Sequence, residues 1–569
     1  MPRKHRPLRP REPKACTACA RAKVRCEVSG ALEVCTRCLR LNRECIMQAS
    51  GAHKRVGRES ESSDVARLEE KLDSMAAAFT AQTPLSIQSG PVGEASDSRS
   101  ILGDGIFPTA AEAQSLLTTF QTELSPYFPF IAIPMGSTVA ELQRTNPSLL
   151  STIMMVSCQS DTDRQLAMTQ RVREYIGAST RVKGERDLDC LQGLLVCLAW
   201  YHYQLDLGSQ FCSFLHLAMA MVAELGIGRK SAVSRMVHLD GSQRDPARQN
   251  PDGTLEDKRA YLGCFYLSAI AWICTEDVDP MRYTAYTEDC CRVLESAGGS
   301  TDLYLVRLVR LHRMVDRIEH TLFLNVYGFY AEPSTPLSTR IETFEAELQG
   351  IKPLQAPYNL HDCKSLSGYA FREKTILLMS LAILKLHHIT LEAKLYSIAL
   401  EDDFPRHETH PSTRLNLLSS CLSAIKAFLD LFAAIPTRNY PTLPYPVFCA
   451  YCFVLGTLSN LLLFTSEGWH SEHVRSAVDF EGVINAFVAK IENAPGGGHG
   501  QYLYQFPEAF LKIIPRLRAI VEAHRARRAA RTDTASQRYT GEAPDSSDDD
   551  HRDLMFPLPH GFSWRFLQS

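Results

Sequence analysis

Six cysteines near the start of the chain, Cys16, Cys19, Cys26, Cys35, Cys38 and Cys45, repeat one spacing twice: Cys-x2-Cys-x6-Cys, eight residues, and the same again. A thiolate pair two residues apart clasps one tetrahedral ion from a single turn, and a third cysteine returns from the far end of a short helix. Six thiolates are too few for two separate four-ligand sites. Eight ligand positions around two zinc ions are filled by six sulfurs only when two of them bridge, so the repeat predicts a fused two-metal cluster. Lys23 and Arg25, inside the first copy, point that cluster at DNA.

Two other chemistries use cysteines this densely. A disulfide framework needs an oxidising compartment, yet the opening MPRKHRPLRPREPK has neither an apolar core nor a small-residue cleavage site, so no secretory signal is expected. Redox Cys-x2-Cys motifs rarely come as matched pairs, each followed by a third cysteine at one distance. The remaining cysteines, from Cys158 to Cys452, are scattered among apolar neighbours and read as buried free thiols.

Charge is divided along the chain. Residues 1–58 carry fifteen Lys or Arg against four Glu, a net of +11, on a chain whose total is −3. The body is therefore acidic and the head strongly basic. Cationic segments gain affinity for nucleic acid by releasing counterions from the phosphates; basic runs of this kind also occur as import signals or as merely solvated tails.

Residues 14–47, KACTACARAKVRCEVSGALEVCTRCLRLNRECIM, resemble the fungal binuclear zinc cluster, the DNA-binding domain of a large family of fungal transcription factors. The resemblance implies two Zn2+ ions held by Cys16, Cys19, Cys26, Cys35, Cys38 and Cys45, with Cys16 and Cys35 bridging. It also implies that Lys23 reads a CGG triplet in the major groove, which suits a lysine donating to guanine O6 and N7. Arg21, Arg25, Arg40 and Arg43 are the candidate phosphate contacts. Gln192 to Lys230 and Tyr261 to Ala269 are similar to the helical middle region of the same family, which implies a regulatory body open to coactivators or a small-molecule effector.

The fold expected is mostly α, in seven segments. A basic disordered arm (1–13) leads into the zinc cluster (14–47) and a linker (48–63). Val65, Leu68, Leu72, Met75 and Phe79 are spaced three, four, three and four residues apart, the seam of a short coiled-coil dimerisation helix over 64–80. A flexible Ser/Gly/Pro linker (81–105) precedes the helical regulatory domain (106–530), where apolar residues recur at helical spacing and Gly226-Ile227-Gly228 punctuates. The tail (531–569) mixes Asp and Glu with Phe and Trp, a composition suited to activation segments. No apolar run is expected to span a membrane, and Val447 to Phe464 reads as a buried helix.

His202, His387-His388 and Trp200 look chemical in isolation. No second ligand accompanies the histidines at helical spacing, and no Gly-x-Ser-x-Gly, phosphate loop or His-Glu-x-x-His is present. The histidines are read as hydrogen-bonded core or rim residues, and Trp200 as core. The expected function is that of a nuclear, zinc-dependent, sequence-specific regulator of RNA polymerase II genes rather than an enzyme, a homodimer on CGG-containing sites, serving a metabolic or secondary-metabolite pathway. The alternatives are a zinc-binding interaction protein that does not touch DNA, and an enzyme housed in the helical body.

Overall fold

The computed structural model describes residues 16, 19, 26, 35–41, 45–46, 106, 108–178, 187–207, 210–228, 253–275, 278–297, 299–323, 335–351, 369–401, 404, 411–493, 511 and 513–539. The chain divides into two compact units, residues 1–96 and 97–569. In the first, the described residues include a short helix, α1 (Thr36–Arg40), with Cys16 and Cys35 in bridge conformation. The proposed coiled-coil seam Val65, Leu68, Leu72, Met75 and Phe79 lies outside the described residues, as do the basic arm and the linkers.

The described residues of the second unit are predominantly helical. In chain order its helices are α2 (Ala110–Thr119), α3 (Val139–Thr145), α4 (Pro147–Ser157), α5 (Thr162–Gly177), α6 (Leu188–Ala199), α7 (Phe211–Leu225), α8 (Leu255–Thr275) and α9 (Ala285–Ala297). There follow α10 (Ser300–Ile318), α11 (Leu337–Gly350), α12 (Tyr369–Ser397), α13 (Pro411–Ala433), α14 (Tyr445–Leu463), α15 (Ser471–Ala477), α16 (Phe480–Glu492) and α17 (Ile513–Tyr539). In this unit Ser466 and Trp469 form an isolated antiparallel bridge. Helix α17 runs past residue 530, so 531–539 are helical rather than irregular tail.

Local chemistry starts and stops these helices. Thr138, Asp161, Asp187 and Asp479 each accept a hydrogen bond from a backbone N–H three residues on, at 3.2, 3.0, 2.8 and 3.0 Å. Such caps satisfy donors that the first helical turn leaves unpaired. Gly226 ends α7 in the left-handed region at φ 66°, where a side chain would be strained.

The core is built around α8 and α14. Helix α14 is buried along nearly its whole length, and a helix that is apolar on all faces belongs inside a protein. It packs on α8, α12 and α13, while α8 also meets α6, α7 and α10. Gly263 on α8 permits a close approach by Phe130: a Cβ at this position would stand 2.9 Å from the Phe130 Cβ. Contacts distant in sequence close the body. The Tyr203 hydroxyl donates to the Pro441 carbonyl at 2.8 Å, and Trp200 Nε1 to that of Thr442 at 3.4 Å.

Three helical stretches, Arg372–Leu400, Ser412–Ala433 and Tyr445–Leu463, are long and apolar enough to cross a membrane by length and composition. The expectation that no segment reaches that threshold is corrected. In the folded body, however, 72%, 50% and 89% of their most apolar windows are buried against protein, so their hydrophobicity is met by the core.

Candidate metal centre

The six cysteines of the repeat come together. Cys16, Cys19, Cys35 and Cys38 are fully or almost fully buried, with Cys26 and Cys45 packed at the edge. Their sulfurs form two sets of four, Cys16, Cys19, Cys26 and Cys35, and Cys16, Cys35, Cys38 and Cys45, each with its ligand atoms within 4.8 Å of one another. Cys16 and Cys35 belong to both sets.

The spacing fits a tetrahedral ion. A Zn–S bond of about 2.3 Å places the sulfurs of a tetrahedron about 3.8 Å apart. The Cys16 and Cys35 sulfurs are 3.9 Å apart, Cys16 and Cys38 3.7 Å, and Cys19 and Cys35 3.7 Å. A disulfide would need about 2.05 Å, so the thiols are held as ligands are held.

The two copies of the motif make matching backbone bonds. The Cys19 N–H donates to the Cys16 sulfur and the Cys38 N–H to the Cys35 sulfur, both at 3.4 Å. Likewise the Cys16 N–H donates to Cys26 at 3.4 Å and the Cys35 N–H to Cys45 at 3.3 Å. Bonds of this kind orient ligands around a metal. The Cys35 sulfur also caps α1, where the helix dipole favours a negative charge. Its thiol is drawn down to about 6, first by the Cys38 N–H, and that of Cys16 falls through the Cys19 N–H. Burial instead pushes the Cys19 thiol up to about 11. The two shared sulfurs are thus the ones held readiest as thiolates, the form that binds metal.

Of the candidate DNA contacts, Arg40 is exposed in the last turn of α1. Lys23, Arg21, Arg25 and Arg43 lie outside the described residues. Sequence reasoning passed over Arg37, which is half-buried between two ligands and interacts with the Cys19 sulfur from the other half of the repeat. Its position inside Cys-x2-Cys was the available signal.

The body's chemical-looking residues are core. His202 is buried among Tyr203, Tyr445 and Phe448, and desolvation presses its pKa down to about 3. The His388 Nε2 bonds the Leu348 carbonyl at 2.9 Å, and the His387 Nε2 the Tyr266 hydroxyl at 2.8 Å. Trp200 is fully buried. The described cysteines of the body are free thiols, most of them buried.

Comparison with known proteins agrees with this arrangement. The profile of the WAR1 C-terminal domain family matches residues 60–354. Transcription factor opdL of Penicillium oxalicum is 28% identical over 82% of this chain and 81% of its own length. Transcription factor himD of Aspergillus japonicus is 26% identical over 75% and 69%, and the transcriptional regulator WAR1 of Candida albicans 20% over 62% and 35%. No solved structure matches. These relatives are regulators of transcription, not enzymes. With its cluster of cysteines placed to hold metal and its match to the WAR1 C-terminal domain, the chain belongs to the fungal zinc-cluster family of transcription factors.

Proposed function

We propose that residues 14–47 bind two Zn2+ ions through Cys16, Cys19, Cys26, Cys35, Cys38 and Cys45, and that the resulting cluster reads CGG-containing DNA in the nucleus. The observation that carries this reading is the sharing of Cys16 and Cys35 between two cysteine quartets. Zinc supplies a rigid scaffold, since a peptide this short cannot bury a core large enough to fold without metal or an equivalent staple. Two divalent ions and six thiolates leave the cluster with about two negative charges, which the surrounding basic segment outweighs.

On that scaffold Lys23 donates to guanine, and Arg21, Arg25, Arg40 and Arg43 hold phosphates. Val65, Leu68, Leu72, Met75 and Phe79 pair two chains over two half-sites, and the helical body regulates the reader. A role in a metabolic or secondary-metabolite pathway follows the same resemblance.

Electrophoretic mobility shift of the full-length protein on CGG-containing and scrambled duplexes tests this reading. Binding should favour CGG and vanish on zinc chelation. Lys23→Ala should reduce discrimination by about 1–3 kcal/mol; equal binding to both duplexes by the unaltered protein would refute sequence reading.

A further inference from the structure

Helix α17 carries one stripe of residues that begins apolar and ends cationic. Leu517, Ile520, Val521 and His524 are buried and recur at the three- and four-residue intervals by which a helix packs on a body; α16 lies against them. The stripe continues in register as Arg527, Arg528 and Arg531. Burial stops where the arginines begin: Arg525, Ala526, Arg528 and Ala529 are exposed, and Arg527 is half-buried. From His524 to Arg531 there are four arginines and no Asp or Glu. Arg525 is engaged by Glu481 of α16 through two hydrogen bonds, so the excess positive charge lies on the stripe. It is felt at His524, whose pKa is lowered first by burial and further by Arg528, Arg527 and Arg475 of α15, against the opposite pull of Glu481. Directly after α17 the sequence turns acidic: Glu542, Asp545, Asp548, Asp549, Asp550 and Asp553 stand against Arg552 alone, a net of −5 over 542–553. Those residues lie outside the described ones.

We propose that the arginine stripe Arg527, Arg528 and Arg531 is the docking surface for the acidic segment 542–553 of the same chain. The reach is sufficient. Eleven helical residues separate Arg528 from Tyr539, the end of α17, about 16 Å of axis at 1.5 Å per residue. The ten residues from Tyr539 to Asp549 extend to about 33 Å, so the run Asp548-Asp549-Asp550 can fold back along the helix with chain to spare. Charge and geometry match, since a guanidinium presents paired N–H donors to the two oxygens of a carboxylate.

The tether decides between occupants. A nucleic-acid backbone offers the same charge, but it must be recruited from solution, whereas a short flexible connection holds the acidic segment at an effective concentration of about millimolar. Docking has two consequences. It covers the arginines against other polyanions, and it holds Leu554, Met555 and Phe556, which follow Asp553 directly, beside the helical body. Release of the segment uncovers both at once. The inference is independent of CGG reading, because it concerns only the end of the body.

Amide hydrogen exchange read by mass spectrometry on full-length, zinc-loaded protein tests the docking. A variant with Asp548→Asn, Asp549→Asn and Asp550→Asn leaves the sequence of α17 intact. At low salt the amides of residues 525–539 should exchange about fivefold faster in this variant than in the unaltered protein, the combined effect of a few exposed ion pairs, and the difference should vanish at about 0.5 M salt, where such pairs are screened. Amides of α14 should exchange alike in both, which reports an intact body. Equal exchange of 525–539 at low salt would overturn the proposal. Affinity for a scrambled duplex supplies the second arm. Neutralising the three aspartates should raise it about fivefold, and by much less when Arg527→Gln, Arg528→Gln and Arg531→Gln are also present. An equal gain in both backgrounds would mean that the acidic segment shields another part of the chain. Arginine replacements that weaken duplex binding as much with the acidic segment as without it would mean that the stripe is already open to nucleic acid. Either result would refute docking on α17.

Discussion

Cys16 and Cys26 make different demands on the metal centre, although both are ligand candidates in the same half of the repeat. Cys26 lies in one quartet only, whereas Cys16 lies in both. Structural zinc sites contribute about 10–16 kcal/mol of binding free energy, so one thiolate of four carries about 3 kcal/mol. Cys26→Ala removes one such contribution, weakening one ion by about two orders of magnitude and leaving the other quartet whole. Cys16→Ala takes a ligand from both ions, for about 6 kcal/mol in all. Purified full-length variants dialysed against a mild chelator should therefore retain about one zinc after Cys26→Ala and close to none after Cys16→Ala, by elemental analysis. Replacing zinc by cobalt should show the same contrast in the thiolate charge-transfer absorption. If the Cys16 and Cys26 variants both kept one ion with similar affinity, the sharing of Cys16 would be refuted.

Other perturbations address the body. Gly263→Ala places a methyl 2.9 Å from the Phe130 Cβ and should destabilise by about 1–3 kcal/mol, read as a lower urea midpoint; an unchanged midpoint would show that Phe130 yields freely. Asp189 accepts from the backbone N–H groups of Ser148 and Leu149, both at 2.9 Å, and so holds the start of α4 from α6. Asp189→Ala leaves two buried donors unmet and should lower stability by about 2–4 kcal/mol, and a loss below that of an ordinary surface substitution would remove the cap from the account. Acid should unfold the body early. Burial presses the pKa of His312 down to about 4 and that of His202 to about 3, whereas an unfolded histidine titrates near 6.5. Between those values the unfolded chain binds protons that the folded one refuses, so stability is full above pH 6.5 and falls as pH drops. Each histidine should remove about 2 kcal/mol between pH 7 and 5, and an unaltered urea midpoint by tryptophan fluorescence would contradict this.

Much of the metal centre was legible before any coordinates. Ligand spacing in Cys-x2-Cys-x6-Cys is a property of a few consecutive residues, and the short helix that follows Cys35 realises it locally. The helical character of the body was legible for the same reason, because apolar periodicity and the stop at Gly226 are written in neighbouring residues. Arg37 was overlooked because its relevance lies in a contact with the other half of the repeat. The apolar stretch of α14 was correctly read as buried, yet α12 and α13 also match the membrane profile by composition.

By itself, then, the sequence determined that six thiols would gather in a group able to hold metal, and that a long helical body would follow. Both rest on short-range order: the reach of a few residues between ligands and the 3.6-residue period of a helix. Tertiary structure decided how close the six sulfurs come, which apolar helices are hidden in the core, and that Tyr266, His312 and His387 pack on one another. Those outcomes depend on groups as far as 242 residues apart packing together. Burial, desolvation and the pairing of lone pairs are properties of that packed neighbourhood, and no local spacing encodes them.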